Sequence, residues 1–177
     1  MISTKEELKN VIELEKKGYG RNSLIRRYLR ELRICEYYKN CGGGGGRTRL
    51  LFKLHNFYRN RLGLRLGFEI PLNVFGKGLH IFHTGNIIIN GTSSVGEYCN
   101  IIGSTCLGSK NGGNGPTLGD HCELGMNSVV IGNVQIGNNV YIGAGAVVTK
   151  SFEQNGVSLA GVPAKIVASR KDSKKAD

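Results

Sequence analysis

A chain of 177 residues has room for one domain and an appendage, and with 40% hydrophobic residues it can bury a core. A formal net charge of +11 points to anionic partners if to any charged ones, and the five cysteines lack the paired spacing of a disulfide framework or a zinc site, so no metal is expected. No apolar stretch reaches the roughly 18–20 residues of a membrane span, and the amino terminus MISTKEELKN has no apolar signal core, which together predict a cytoplasmic chain.

Residues 1–65 read as a helical, basic amino-terminal domain. Ser3 or Thr4 is placed to cap a first helix, with Glu6 or Glu7 closing a capping box and Leu8, Val11, Ile12 and Leu14 as its apolar stripe. Asn22 or Ser23 starts a second, whose buried face is Leu24, Ile25, Tyr28, Leu29 and Leu32. A third runs from Arg47 to about Arg61, with a stripe of Leu50, Leu51, Leu54, Phe57 and Tyr58. Between the second and third lie five consecutive glycines, Gly42 to Gly46. A run with no side chain to bury and maximal backbone entropy predicts a mobile loop there.

Charge gathers in the same region. From Arg21 to Arg65 twelve Lys and Arg stand against Glu31 and Glu36, a net of +10. A solvated helix surface is one reading, and weak contact with an anionic substrate or a membrane surface is another. Nucleic acid is not expected, because no binding motif or aromatic platform accompanies the charge. The third helix would suit a membrane surface or simply pack on its own domain.

From residue 66 the material changes. Ile89, Val95, Ile101 and Leu107 are evenly spaced, a loop intervenes, and Leu118, Leu124, Val130, Ile136, Ile142 and Val148 resume the same six-residue step. Glycine usually follows the aliphatic residue (Gly96, Gly108, Gly119, Gly125, Gly137, Gly143), where a corner would need a residue without Cβ. Two positions before each next aliphatic residue stands a small or β-branched one, from Ser93 and Cys99 to Val140 and Ala146. A 3.6-residue helix cannot keep such a stripe on one face, and an alternating strand would show period two. A period of six is the signature of a parallel β-helix, each rung burying one aliphatic side chain on the axis. Cys99 and Cys122 then fill small inward slots as reduced thiols.

At the head of the repeat, the stretch 75–90, FGKGLHIFHTGNIIIN, resembles the active-site segment of bacterial serine acetyltransferases, in which a glycine-flanked basic residue precedes a short strand, a catalytic histidine and an apolar run. His83 falls on that histidine, and stands six residues before Ile89, where a rung residue would otherwise be. The resemblance continues through the loop Gly108–Pro116 and closes on AGVPAKIV, residues 160–167, similar to the end of many hexapeptide-repeat acetyltransferases. It implies a left-handed parallel β-helix over residues 66–168, followed by a disordered tail at 169–177. The handedness comes from the family, since the period alone does not determine it.

The resemblance also implies acetyl transfer from acetyl-CoA to an acceptor hydroxyl, directly and without a metal, with His83 as general base. Glu69, followed by Ile70, stands where the family has the aspartate that orients the histidine. Gly125, Met126, Ala144, Thr149, Lys150 and Lys165 match positions along the coenzyme A path, which in the family runs between neighbouring coils of a homotrimer.

Two departures bear on the acceptor. Phe82 stands where the family carries the aspartate that meets the substrate amine, and Gly115 precedes the loop proline without the family's arginine and histidine. A site that cannot pair both charges of an amino acid should not select it. The expected acceptor is therefore a sugar or glycan hydroxyl in surface polysaccharide synthesis, with Phe82, His80 and Gly115 lining its site. Serine O-acetylation in cysteine biosynthesis is the alternative, and a non-catalytic solenoid interaction protein is the second alternative.

Overall fold

The computed structural model describes residues 1–21, 23–41 and 45–170. The expected carboxy-terminal tail beyond residue 170 and Gly42 to Gly44 of the glycine run lie outside the described residues, as does Asn22.

Helix α1 (Lys5–Glu15) is capped by Thr4, whose Oγ1 accepts the Glu7 N–H at 3.1 Å while Glu7 Oε2 accepts the Thr4 N–H at 3.0 Å. Helix α2 (Leu24–Asn40) starts at Ser23 and buries Ile25, Tyr28, Leu29 and Leu32 as expected. Helix α3 (Gly46–Leu66) runs past the expected end at Arg61. Gly63 does not break it, because a Cβ there would stand 2.7 Å from the Phe68 carbonyl oxygen, so the bare backbone lets the helix lie close on the first strand. Gly67, at φ 77°, ends it.

Of the two readings of the α3 stripe, the structure does not show it packed on its own domain. Leu50, Leu54, Phe57 and Tyr58 are exposed, and the buried residues are Leu62, Gly63 and Leu66. A polar contact turns the helix this way: His55 Nδ1 lies 2.6 Å from the buried Glu31 carboxylate of α2, and its ring stacks on Tyr38 at 5.8 Å. No helix among the described residues is long and apolar enough to cross a membrane.

The rest is a left-handed parallel β-helix of short strands. In chain order they are β1 (Phe68–Glu69), β2 (His80–Ile81), β3 (Ile87–Ile89), β4 (Ser94–Val95), β5 (Asn100–Ile101), β6 (Cys106–Gly108) and β7 (Thr117–Leu118). They continue with β8 (Glu123–Leu124), β9 (Val129–Ile131), β10 (Gln135–Ile136), β11 (Tyr141–Ile142), β12 (Val147–Val148), β13 (Val157–Ala160) and β14 (Lys165–Ser169). Three sheets form the sides of a prism, in the orders β1-β3-β6-β9-β12, β4-β7-β10 and β2-β5-β8-β11-β13-β14. Every pairing is parallel except the closing hairpin β13–β14.

Register explains the period of six. Ile101, Leu124, Ile142 and Leu159 pair one above another on one side, Leu107, Val130 and Val148 on the next, and Val95, Leu118 and Ile136 on the third. Six residues are thus one side of the prism, and all of these side chains are buried. The small slots, Cys99 and Cys122 included, are buried as expected, and the cysteines are free thiols.

The reason for glycine after the aliphatic residue differs from the expectation. A Cβ on Gly96 or Gly119 would meet the side-chain oxygen of Asp120 or Asn138 at 2.3 Å, and one on Gly137 would meet that of Asn155 at 2.7 Å. Those oxygens accept the Glu97, Asp120 and Asn138 N–H groups at 2.7–2.8 Å, so glycine clears the way for a ladder of side chains that satisfies the corner backbone. The left-handed corner itself is taken by Tyr98, His121 and Asn139.

Helices and coil are locked together by one buried cation. All five N–H donors of Arg33 are used: Nε to both oxygens of Glu15 at 3.1 Å, Nη2 to Glu15 at 2.7 Å and the Gly76 carbonyl at 2.6 Å, Nη1 to Glu36 at 2.8 Å and the Phe75 carbonyl at 3.0 Å. Glu15 also accepts the Gly78 and Leu79 N–H groups, and Glu36 accepts that of Asn73. Burial alone would push the Arg33 guanidinium down, but the Glu15 and Glu36 carboxylates more than offset it and hold the group charged.

Candidate active site

His83 is not on a rung. In the first coil the axial position belongs to Ile81, which pairs with Ile101, and the step from Ile81 to Ile89 is eight residues where each later coil has six. Two additional residues at the β2–β3 corner cannot fit the inward path, so the chain swings out and His83 stands exposed. Its backbone stays tied down, with the His83 N–H donated to the Ile102 carbonyl at 3.1 Å. A histidine on the axis would be sealed from any acceptor, whereas this one is reachable.

Successive coils place a column beneath it. Two residues beyond the paired positions Ile81, Ile101, Leu124 and Ile142 come His83, Gly103, Met126 and Ala144. A Cβ on Gly103 would stand 3.1 Å from Met126 Cε and 3.3 Å from His83 Cβ, so both side chains close over the bare glycine. At a strand spacing of about 4.8 Å, the column from His83 to Ala144 is roughly 14 Å long. Gly125 lies one residue inside it, where a Cβ would strike the Ala144 nitrogen at 2.6 Å. The turn after β13 closes the far end, with the Gly161 carbonyl accepting the Val147 N–H at 3.0 Å and Lys165 exposed beside it.

The remaining expected residues sit elsewhere on the same chain. Thr149 and Lys150 follow β12 at the next corner, both exposed, with Lys150 Nζ 5.4 Å from the Phe152 ring centre. Gly115 belongs to that corner too, its N–H donated to Thr92 Oγ1 at 2.7 Å, and a Cβ on it would strike Ser93 Oγ at 2.3 Å. Within one chain, then, one corner carries His83, Met126 and Ala144, and another carries Lys150 and the shortened loop.

Near the histidine, His80 and Phe82 meet edge to face at 4.5 Å, and Phe82 is exposed. The other side of His80 stacks on Tyr19 at 4.6 Å. Burial in this stack holds the His80 imidazole below its ordinary range, which makes it a neutral packing group. Tyr19 was not singled out from the sequence: its hydroxyl donates to the Ile81 carbonyl and accepts the Ile81 N–H, both at 2.7 Å, clamping the strand that leads to His83. Nothing in its local sequence, a turn between two helices, marks it; only the fold brings residue 19 to residue 81.

Glu69 is exposed on β1, paired across to Ile88, and no hydrogen bond joins it to His83 among the described residues. It borders a cavity of about 330 Å³ with Arg59, Asn60 and Leu64. A second cavity of about 380 Å³ lies at the junction of helices and coil, lined by Arg33, Glu36, Phe75 and Lys77. Neither includes His83, which stands exposed at its corner. No cluster of three or more metal-ligating side chains occurs among the described residues.

Residues 115–150 match the family described as bacterial transferase hexapeptide (six repeats). The chain is 36% identical over 108 residues to a serine acetyltransferase of Synechococcus elongatus, covering 59% of this chain and 44% of the relative. It is 30% identical over 115 residues to the serine acetyltransferase of Escherichia coli K12, covering 63% and 42%. The chain spans less than half the length of these curated relatives. Among solved structures, a serine acetyltransferase of Neisseria gonorrhoeae superposes with a TM-score of 0.74 at 25% identity, over 96% of this chain and 70% of that one. A serine acetyltransferase in complex with CoA gives 0.72 at 19%, over 92% and 71%.

Proposed function

From a chain that carries the hexapeptide repeat of bacterial transferases on a serine acetyltransferase-like fold, we propose an acetyl-CoA-dependent O-acetyltransferase. The observation that carries the reading is the column His83, Gly103, Met126, Ala144: an exposed imidazole at one end of a stack that follows the coil edge. The solved relative with CoA supports acetyl-CoA as the co-substrate.

In this reading an acceptor hydroxyl, too weak a nucleophile on its own, loses its proton to His83 as its oxygen attacks the thioester carbonyl carbon. Backbone N–H groups along the coil edge receive the charge that develops on the carbonyl oxygen. The carbonyl reforms, the carbon–sulfur bond breaks, and the imidazolium returns its proton to the departing sulfur. Tyr19 contributes by fixing the Ile81 backbone two residues from the base. Glu69 is proposed to orient the imidazole. Gly125, Met126 and Ala144 would line the pantetheine arm, and Thr149, Lys150 and Lys165 the nucleotide end.

Because His83, Met126 and Ala144 occupy one corner of the chain and Thr149 and Lys150 another, the reading calls for a homotrimer in which one protomer's His83 corner faces its neighbour's Lys150 corner. Sedimentation at micromolar concentration tests it, and a stable active monomer would contradict it.

The curated relatives named above are serine acetyltransferases, and this favours L-serine as acceptor over the polysaccharide acceptor expected from the sequence. One observation keeps the sugar or glycan hydroxyl as a second reading: Phe82 is exposed beside His83 and offers an apolar ring, not a carboxylate, to whatever binds there. Thiol release from acetyl-CoA with L-serine and a sugar panel decides between them. His83→Ala should lose at least about a hundredfold in turnover while keeping the fold. Near-normal turnover in that variant would remove His83 from the chemistry.

A further inference from the structure

Helix α3 turns an apolar crest to solvent. Leu50 is 58% exposed, Leu54 56%, Phe57 63% and Leu64 87%, and at 100° per residue the four fall within about 80° of arc. They extend over roughly 21 Å of helix. Exposed Lys53 and Arg49 stand on one shoulder of the crest and exposed Arg47 and Arg65 on the other. Arg61 lies within it, its guanidinium 5.9 Å from the Phe57 ring centre. The helix contains no acidic residue. The acidic residues of the preceding helix do not neutralise it, because Glu31 and Glu36 are both buried in contacts with His55 and Arg33.

We propose that this face of α3 docks on an anionic membrane surface, its leucines and phenylalanine entering the headgroup boundary and its flanking cations meeting lipid phosphates. Apolar side chains flanked on both sides by long basic ones are what such a surface selects, since the basic stems lie along the apolar layer while their charges reach water and phosphate. Face-to-face pairing of this helix with that of a second copy fits less well, because it brings Arg47, Lys53 and Arg65 onto their own counterparts. A nucleic acid would leave Phe57 and three leucines against phosphates. The proposal does not depend on the acetyl-transfer reading.

The chain has no tryptophan, so Phe57→Trp supplies a single tryptophan on the crest, to be excited selectively over the tyrosines. The full-length variant and the natural chain are mixed with vesicles of phosphatidylcholine alone or with a third phosphatidylglycerol. Expected are sedimentation with the anionic vesicles, a blue-shifted tryptophan emission, and at least about tenfold weaker binding to the neutral ones. Raising salt to 1 M, where screening acts within about 3 Å, should release most of the bound chain. Leu54→Glu, checked for fold by circular dichroism, should abolish both signals. Equal binding to neutral vesicles, no binding to anionic ones, or binding that Leu54→Glu leaves intact would overturn the proposal. So would a blue shift without lipid that rises with protein concentration and sedimenting mass, which would assign the face to a second copy.

Discussion

Replacing Arg33 by methionine tests how the helices are held to the coil. The substitution keeps an unbranched apolar stem and removes the only cation bonded to Glu15 and Glu36 among the described residues, the two side chains being each 3% exposed. Glu15 would keep two backbone donors and Glu36 one, and neither carboxylate could reach bulk water. The Phe75 and Gly76 carbonyls would lose their guanidinium donors as well. Breaking one side of a buried ion pair costs about 3–5 kcal/mol, set against about 5–15 kcal/mol for a whole domain. With a urea dependence near 2 kcal/mol/M, the unfolding midpoint should fall by about 2 M. Far-UV circular dichroism across a urea series, at matched protein concentration, measures it. Burial already raises the Glu15 pKa above the ordinary 4.5, and without the opposing Arg33 guanidinium it must rise further. The destabilisation should then be full near pH 7 and shrink as pH falls and Glu15 takes up a proton. A loss under about 1 kcal/mol, or one that does not change with pH, would refute the view that charge pairing clamps this junction.

Three other outcomes follow from the site. Gly103→Ala puts a methyl group between Met126 and His83 at a φ of 157° that side chains rarely adopt, so it should lower the urea midpoint as well as cost about tenfold in turnover through a displacement of a few tenths of an ångström; an unchanged rate would separate the column from the chemistry. Lys150→Ala or Lys165→Ala should raise the KM for acetyl-CoA severalfold and change kcat by less than about twofold, as expected for contacts far from the reacting carbon; a selective fall in kcat would contradict their assignment. His80 has a folded pKa below its ordinary 6.5, so the unfolded chain takes up the proton first. The stability it contributes is complete above that ordinary value and is lost as pH falls toward the folded one, and thermal midpoints at pH 7 and pH 5 should converge in H80Q if the stack is the cause.

The coil was legible in the chain because its period is local arithmetic: one aliphatic residue every six positions needs no knowledge of distant contacts, and those residues stack in register coil upon coil. Helix caps were legible for the same reason, Thr4 and Glu7 being three residues apart. What depended on long-range packing was read less well. The α3 stripe suited either a membrane surface or its own domain until the fold left it outward, with His55 paired to Glu31 on the other side, and the helix runs past Arg61 through Gly63, whose missing Cβ leaves room for Phe68. His83 was found by likeness and misplaced by counting, since two additional residues at one corner shift the register without changing the surrounding pattern. Tyr19 and Arg33 could not be found at all, because their partners lie some forty to sixty residues away and a single tyrosine or arginine has no period. A repeat states its own neighbours, and so the amino-acid sequence by itself determined the solenoid; which side chains a docked helix hides, and which it leaves to act, was decided only when the tertiary structure set one irregular surface against another.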